Sequence, residues 1–196
     1  MEQYKEDRMV SKILEEEERK CFGFFWNEVS ESGESYGLIR DNDVNCDVYK
    51  DSGLIYHSYC GGLFVYQFFH AFLNLQGKRD RRGIDWYENS RRAVKAARQY
   101  CIDNPGQKKT YGADAWGMTA CMTPHGYSGA QGALPCVGND KNEADGTVPP
   151  CGAIGSMPFC PEEVESAARH YASMPQLQGK YGFRTDISAS IRASVC

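Results

Sequence analysis

The sequence predicts an all-α protein whose helices are joined by long, glycine-bearing loops. Four segments place apolar residues in helical patterns, whereas no run of alternating β-branched residues and no Asn-Gly hairpin turn occurs. Glycine accounts for 20 of the 196 residues, and most of the excess over ordinary usage falls between residues 104 and 160. Long loops in a compact domain are often functional, so we expect the site in this region.

The predicted helices differ in how much of their surface is apolar. An amphipathic helix is predicted over residues 8–29, and a helix that is apolar on nearly every side, and therefore buried, over residues 62–75. Two further helices are predicted over residues 85–101 and 161–172, and single helical turns over residues 115–122 and 152–157. His70 lies in the second helix, where we interpret it as a packing residue and not as a catalytic base.

Charge and cysteine usage narrow the function classes. With 22 Lys and Arg against 26 Asp and Glu, the net charge is −4, which argues against nucleic-acid and membrane-surface binding. No apolar run spans a bilayer and the first residues are charged, so a cytoplasmic location is expected. The nine scattered cysteines include no C-x-x-C pair and predict reduced thiols. Neither a metal site nor a cofactor is expected.

The loop-rich region combines aromatic rings with acidic side chains. Pyranose rings stack on Trp and Tyr, and their hydroxyl groups need polar partners. Glycoside hydrolysis also requires two carboxylates across the scissile bond. The residues of this kind are Tyr111, Trp116, His125, Tyr127, Glu143 and Asp145.

A series of short motifs, in a fixed order, carries a family resemblance. The motifs are Phe24-Phe25-Trp26, Tyr36-Gly37-Leu38-Ile39-Arg40-Asp41, Leu63-Phe64-Val65-Tyr66-Gln67, Trp86-Tyr87-Glu88-Asn89-Ser90, Trp116-Gly117-Met118-Thr119-Ala120, His125-Gly126-Tyr127, Asp145-Gly146-Thr147-Val148, Ser156-Met157-Pro158-Phe159 and Tyr181-Gly182-Phe183. Together they resemble the glucoamylase-like domain family, which includes bacterial endo-β-1,2-glucanases and a domain of cyclic β-1,2-glucan synthases. The resemblance spans most of residues 21–186.

The resemblance implies an (α/α) toroid of helical hairpins with a glucan cleft at one end. By position in the motifs, the candidate catalytic carboxylates are Asp41 and Asp145, followed by Glu88. The candidate substrate-binding residues are Trp116, Tyr127, His125, Asn89 and Trp86. Five of these residues have a structural alternative: Glu88 favours a helix N-terminus, Asp145 and Asp41 can shape their own loops, and Trp116 and Tyr127 can be core aromatics.

The chain departs from the family between about residues 42 and 62, where the family has a much longer stretch. We therefore interpret residues 1–196 as a single, internally shortened domain that builds only a partial toroid. Its function is either to act on a β-glucan by paired carboxylates, with a β-1,2 linkage as one option, or to bind a carbohydrate or protein partner without catalysis. A third alternative is a degraded gene product that does not fold stably alone. A shortened toroid leaves apolar helix faces uncovered, at residues 62–75 above all, unless a second copy or a partner chain covers them.

Overall fold

The computed structural model describes residues 46–57, 60–80, 82–123, 125–136, 143–180 and 182–184. All of these residues belong to one compact unit of the chain, Val44–Cys196. The helix predicted over residues 8–29 and the candidate carboxylate Asp41 lie outside the described residues. The interpretation of residues 1–196 as one domain stays a prediction.

Helical residues outnumber strand residues in the described part of the chain, and the strands are short. The α-helices are α1 (Phe64–Gln67), α2 (Trp86–Asp103), α3 (Pro150–Ile154) and α4 (Pro161–Ala172), with 3₁₀ turns at Lys50–Ser52, Phe68–Ala71 and Pro175–Leu177. The strands are β1 (Cys46–Val48), β2 (Leu54–Tyr56), β3 (Cys121–Thr123), β4 (Gly126–Ser128), β5 (Gln178–Gly179) and β6 (Gly182–Phe183). They pair as three antiparallel two-stranded ribbons, β1 with β2, β3 with β4 and β5 with β6. The sequence predicts none of these strands, because strands of two or three residues are too short to show an alternating pattern.

Helix α2 forms where the sequence predicts it and extends two residues further. It begins after Asp85, whose Oδ1 accepts a hydrogen bond from the Glu88 N–H at 2.9 Å, the arrangement of an N-cap. Asn104 ends the helix in the left-handed conformation, at φ 45°. Its buried side carries small residues and one aromatic: Asn89, Ser90, Ala93, Val94, Ala96, Ala97, Tyr100 and Cys101.

Helix α4 has the predicted bounds and is joined by hydrogen bonds to the loop before β3. Pro161 occupies its first turn with Glu162 and Glu163, as expected at a helix N-terminus. Near its end, the buried Tyr171 hydroxyl donates to the Trp116 carbonyl at 2.7 Å and accepts from the Trp116 N–H at 3.0 Å. These two hydrogen bonds join segments that are 55 residues apart in the sequence.

The prediction of a buried helix over residues 62–75 is wrong. Only Phe64–Gln67 is α-helical, and a 3₁₀ turn continues to Ala71. One side faces the core, where Leu63 is fully buried and the Gln67 Nε2 donates to the Gly152 carbonyl at 2.8 Å. The other side is exposed at Phe64, Phe68 and Phe72. Only one side of the segment contacts the core, so its apolar residues are not all buried.

The two predicted helical turns are also corrected. Residues 115–122 contain no helix among their described backbone, and Cys121 begins β3. Residues 152–157 are helical only up to Ile154, as the end of α3. Glycine permits this irregular path, because the absence of a side chain lets the backbones of these loops approach one another closely. A Cβ atom on Gly132 would lie 1.8 Å from the Cys60 carbonyl oxygen, and one on Gly152 would lie 1.8 Å from that of Gly117.

Several cysteines of the described residues carry free thiols, among them Cys46, Cys60, Cys101, Cys151 and Cys160. Burial raises the pKa of the Cys101 thiol to about 12, so this thiol stays protonated and unreactive at neutral pH.

Candidate functional site

The candidate site is formed by the β3–β4 hairpin and the loop of residues 143–148. Hydrogen bonds connect this loop to the end of the hairpin. The Glu143 N–H donates to the Ala130 carbonyl at 2.8 Å, and the Ser128 hydroxyl donates to the Glu143 carboxylate. The same hydroxyl oxygen accepts the Ala130 N–H at 3.1 Å. Glu143 is thus held against the end of β4 while its side chain remains exposed.

The far end of the 143–148 loop is anchored in the core. The Asp145 carboxylate accepts the Thr147 N–H at 2.8 Å, which closes a tight turn. The Gly146 N–H donates to the Tyr111 hydroxyl at 3.1 Å. Thr147 is fully buried, as is Val148 after it. The pKa of the Tyr111 phenol lies well above its usual range, mainly because the group is buried. The phenol is therefore neutral and can accept this hydrogen bond.

Two acidic side chains therefore stand exposed on one short loop. Glu143 and Asp145 are both exposed, and the Asp145 N–H donates to the Glu143 carbonyl at 3.0 Å. Their backbones are fixed, whereas their carboxylates face solvent with acceptor capacity to spare. Such a pair can accept hydrogen bonds from the hydroxyl groups of a sugar.

The outer face of the β3–β4 hairpin presents an apolar pair. Met122 and Tyr127 are cross-strand partners, and their exposed fractions are 49% and 71%. His125 is exposed at the connecting turn, where its N–H donates to the Thr123 hydroxyl at 3.1 Å. An exposed tyrosine ring beside a thioether offers a flat surface on which a pyranose ring can stack.

Trp116 has a different environment from Tyr127, although the sequence suggested that both line a cleft. Trp116 is fully buried, and its backbone is held by the Tyr171 hydroxyl. Its indole Nε1 has no hydrogen-bond partner. Trp116 therefore packs in the core, which was its structural alternative, and Tyr127 alone of the two faces solvent.

Three other candidate residues lie together at the start of α2. The Trp86 Nε1 donates to the Asp80 carboxylate at 3.0 Å. The Asn89 amide is buried and bonds both backbone atoms of Tyr56, accepting at 2.7 Å and donating at 3.1 Å. Trp86 and Asn89 thereby hold the neighbouring loop and β2 in place.

Glu88, the third of these residues, is engaged by two arginines. Its carboxylate accepts from Arg91 at 2.7 Å and from Arg92 at 3.0 Å. The pKa of Glu88 lies below its usual value, and the hydrogen bond from Arg91 is the largest cause. An ionised carboxylate in this position has no proton to donate to a leaving group, and its oxygens are already engaged.

The structure thus brings Asp145, Tyr127 and His125 onto one pair of joined loops, and it adds residues that the sequence did not single out. Glu143 was noted only as one of several loop residues, and Ser128 and Met122 were not noted at all. Ser128 and Met122 become visible only when the register of β3 and β4 is known, which no sequence pattern supplied.

Among the described residues, no group of three or more His, Cys, Asp or Glu side chains is arranged to hold a metal ion. Within the same residues, none of the helices has the length and apolar character needed to cross a membrane.

The family of the chain follows from its sequence match. The model of the glycoamylase family, described as "Putative glucoamylase", matches residues 33–194. The chain belongs to this family. Its mostly helical fold with few strands, and the resemblance of its ordered motifs, agree with that membership.

Three similar proteins are named for their action on β-1,2-linked glucans or glucooligosaccharides. A curated relative is the exo β-1,2-glucooligosaccharide sophorohydrolase (non-reducing end) of Parabacteroides distasonis, 33% identical over 109 residues that represent 55% of this chain and 14% of that protein. The solved endo-β-1,2-glucanase of Chitinophaga pinensis, in complex with sophorotriose and glucose, is 33% identical with a TM-score of 0.57, over 66% of this chain and 30% of that one. The solved β-1,2-glucanase of Parabacteroides distasonis is 30% identical with a TM-score of 0.55, over 63% of this chain and 17% of that one. The chain therefore spans less than a third of the length of each of these proteins.

Proposed function

We propose that this chain is a glycoside-hydrolase-like domain that recognises a β-1,2-linked glucan at the β3–β4 hairpin and the 143–148 loop. The family match over residues 33–194 is the observation that carries the proposal. The named activities of the three relatives supply the linkage. A partial (α/α) toroid is the architecture that we propose for the chain on the same grounds.

In this proposal the Tyr127 ring binds the sugar, and the carboxylates catalyse cleavage of the glycosidic bond. Tyr127 offers its exposed ring to the C–H face of a glucose unit, and His125 offers a ring nitrogen to a hydroxyl group. Asp145 is the first candidate for a carboxylate at the scissile bond, and Asp41 remains a candidate by its position in the motif alone. Two carboxyl groups about 5–5.5 Å apart would retain the anomeric configuration, and groups about 6.5–9.5 Å apart would invert it.

A second candidate function, binding without cleavage, is favoured by a specific observation. Glu88, one of the three candidate acids, is committed to Arg91 and Arg92. The chain also spans only 14–30% of the length of the three relatives. A chain with the loops but without a full acid pair would bind glucan and leave it intact.

Incubation with linear β-1,2-glucan distinguishes the two candidates. We expect release of short β-1,2-glucooligosaccharides by the wild type, measured by chromatography of the products. Asp145→Asn should lower the rate at least 100-fold, because the amide cannot ionise or donate a carboxylic proton. The Asn side-chain oxygen can still accept the Thr147 N–H, so the turn should be preserved.

Asp51→Asn is the matched control, since Asp51 is an exposed aspartate on the turn between β1 and β2. It should leave the rate unchanged. Binding by calorimetry without any product would support the non-catalytic candidate. Neither binding nor product, in a chain that melts cooperatively, would refute the proposed function.

A further inference from the structure

The 143–148 loop passes from the surface into the core between Asp145 and Gly146. Asp145 is exposed, whereas Gly146 and residues 147–150 are buried. The Gly146 backbone has a positive φ of 103°, a conformation that residues with a side chain rarely adopt. A Cβ atom on Gly146 would also lie 3.3 Å from the Thr110 Oγ1. The backbone that carries Asp145 therefore packs directly against Thr110.

The hydroxyl groups of two consecutive residues hold the Gly146 backbone at both of its polar atoms. The Thr110 hydroxyl donates a hydrogen bond to the Gly146 carbonyl oxygen. The Tyr111 hydroxyl accepts a hydrogen bond from the Gly146 N–H at 3.1 Å. Tyr111 is buried and belongs to the hydrophobic core, so its hydroxyl group is a fixed point for the loop.

The turn that carries Thr110 and Tyr111 is attached to the end of α2. The Asn104 side chain accepts the Lys108 N–H at 2.6 Å and donates to the Lys108 carbonyl at 2.7 Å. The same carbonyl accepts the Tyr111 N–H at 3.3 Å. The two hydroxyl groups are therefore supported by the longest helix of the described residues.

One planar peptide group connects the Thr110 hydroxyl to the Asp145 carboxylate. The Gly146 carbonyl and the Thr147 N–H belong to the same peptide group, whose atoms lie in one plane. Its carbonyl accepts from Thr110, and its N–H donates to the Asp145 Oδ1 at 2.8 Å. Because the group is rigid, the direction of the carbonyl fixes the direction of the N–H. Hydrogen bonds linked in this way also strengthen one another.

We propose that Thr110 and Tyr111 are positioning residues that fix the orientation of the Asp145 carboxylate at the candidate site. Thr110 acts through the peptide group between Gly146 and Thr147, and Tyr111 acts through the Gly146 N–H. The catalytic part of this inference rests on the proposed function, in which Asp145 is a carboxylate at the scissile bond. A displacement of such a group by about 1 Å can lower a rate about 100-fold.

Amide hydrogen exchange measured by NMR tests the positioning without reference to catalysis. In Tyr111→Phe and Thr110→Val, the Gly146 and Thr147 amides should exchange about 10-fold faster or more, because the loop opens locally. The amide of the buried Trp116 reports on opening of the core and should change by less than about threefold. Thr110→Ser keeps the hydroxyl group, so its exchange rates should stay close to those of the wild type.

Tyr49→Phe is the matched control, since the Tyr49 hydroxyl donates at 2.9 Å to a different element, the Asp103 carboxylate at the end of α2. It should leave the ratio of Gly146 to Trp116 exchange rates unchanged. Equal acceleration at Gly146 and Trp116 in Tyr111→Phe would overturn the inference, because it would show a general loss of stability. No acceleration at Gly146 would also overturn it.

Steady-state kinetics on linear β-1,2-glucan separates this inference from the proposed function. For Tyr111→Phe we expect kcat to fall about 10-fold or more. KM should change by less than about threefold, because Tyr127 and His125 keep their places. Faster loop exchange in the variants of a chain that cleaves no glucan would support the positioning and count against the proposed cleavage. An active wild type whose kcat is unchanged in Tyr111→Phe would overturn the inference and leave the proposed function standing.

Discussion

His70 illustrates how surroundings decide the chemistry of a single side chain. Its ring lies against Phe69, Phe159 and Tyr87, with centroid separations of 4.4, 5.0 and 5.8 Å. Its Nε2 shares a hydrogen bond with the buried Ser90 hydroxyl. Desolvation in this pocket lowers the pKa of His70 below its usual value, because burial disfavours the charged imidazolium. The predicted role as a packing residue agrees with these contacts.

A pH dependence of stability follows from this lowered pKa. As the pH falls below about 6.5, the unfolded chain takes up the proton before the folded chain does. The free energy of unfolding should therefore decrease between about pH 6.5 and the lower folded pKa, and His70 should add no further loss below that value. Urea titrations at pH 7.5 and 5.5 should show a larger loss for the wild type than for His70→Gln.

An NMR titration of the His70 ring provides the independent check. A midpoint at or above pH 6.5, or equal losses in the wild type and in His70→Gln, would contradict this account.

The candidate site residues show what their motifs could and could not supply. The sequence placed Asp145, Tyr127 and His125 in one loop region, and they do lie on joined loops. It treated Trp116 in the same way, although this side chain is buried. Aromatic residues serve equally well in a core and in a binding surface, so only the three-dimensional packing distinguishes the two uses.

Elements whose ends carry specific chemical signals were predictable. Asp85 and Asn104 bound α2, and Pro161 with Glu162 opens α4. Both helices also have a regular buried stripe. The α1 segment lacks both kinds of signal, since it is apolar all round and has no capping side chain. Its length and exposure depend on which neighbours are present, and that information is not local.

Close backbone contacts between loops should make certain glycines indispensable. Gly132→Ala would place a methyl group 1.8 Å from the Cys60 carbonyl oxygen, and neither backbone can move without disturbing the Ala133 N–H bond to Gly61 at 3.2 Å. We expect a loss of about 3 kcal/mol in the free energy of unfolding, in the upper range for an overpacked interior. Chemical denaturation measures this loss.

Gly129→Ala is the appropriate comparison, because a Cβ on Gly129 meets no atom within 4 Å. It should change the free energy of unfolding by less than about 0.5 kcal/mol. Similar losses at the two positions would show that backbone crowding is not the cause.

At the scale of the whole molecule, distant segments are joined by a few buried polar contacts. Tyr171 of α4 bonds both backbone atoms of Trp116, and the core cluster includes both side chains. Polar groups in such a core are costly to leave without partners. The hydroxyl group of Tyr171 therefore couples α4 to the loop that precedes β3.

Tyr171→Phe should lower the free energy of unfolding by about 2–4 kcal/mol, since it leaves a buried N–H and a buried carbonyl of Trp116 unsatisfied. A thermal melt should remain cooperative but shift to a lower temperature. Tyr127→Phe removes the same hydroxyl from an exposed ring and should have almost no effect on stability. Equal shifts for the two variants would be inconsistent with the coupling.

The exposed side chains of Phe64, Phe68 and Phe72, called here the phenylalanine face, lie in a stretch without charged residues, and this has a practical consequence for protease mapping. Trypsin cleaves after Lys and Arg, and neither occurs between Lys50 and Lys78, so the entire face is released within one long peptide, residues 51–78. Chymotrypsin prefers large aromatic residues, and it finds three of them on the surface here. Comparing the early fragments from the two digests therefore provides a footprint of this surface. Anything that covers the phenylalanines should slow cleavage by chymotrypsin there, whereas cleavage by trypsin at Lys50 and Lys78 should be unaffected.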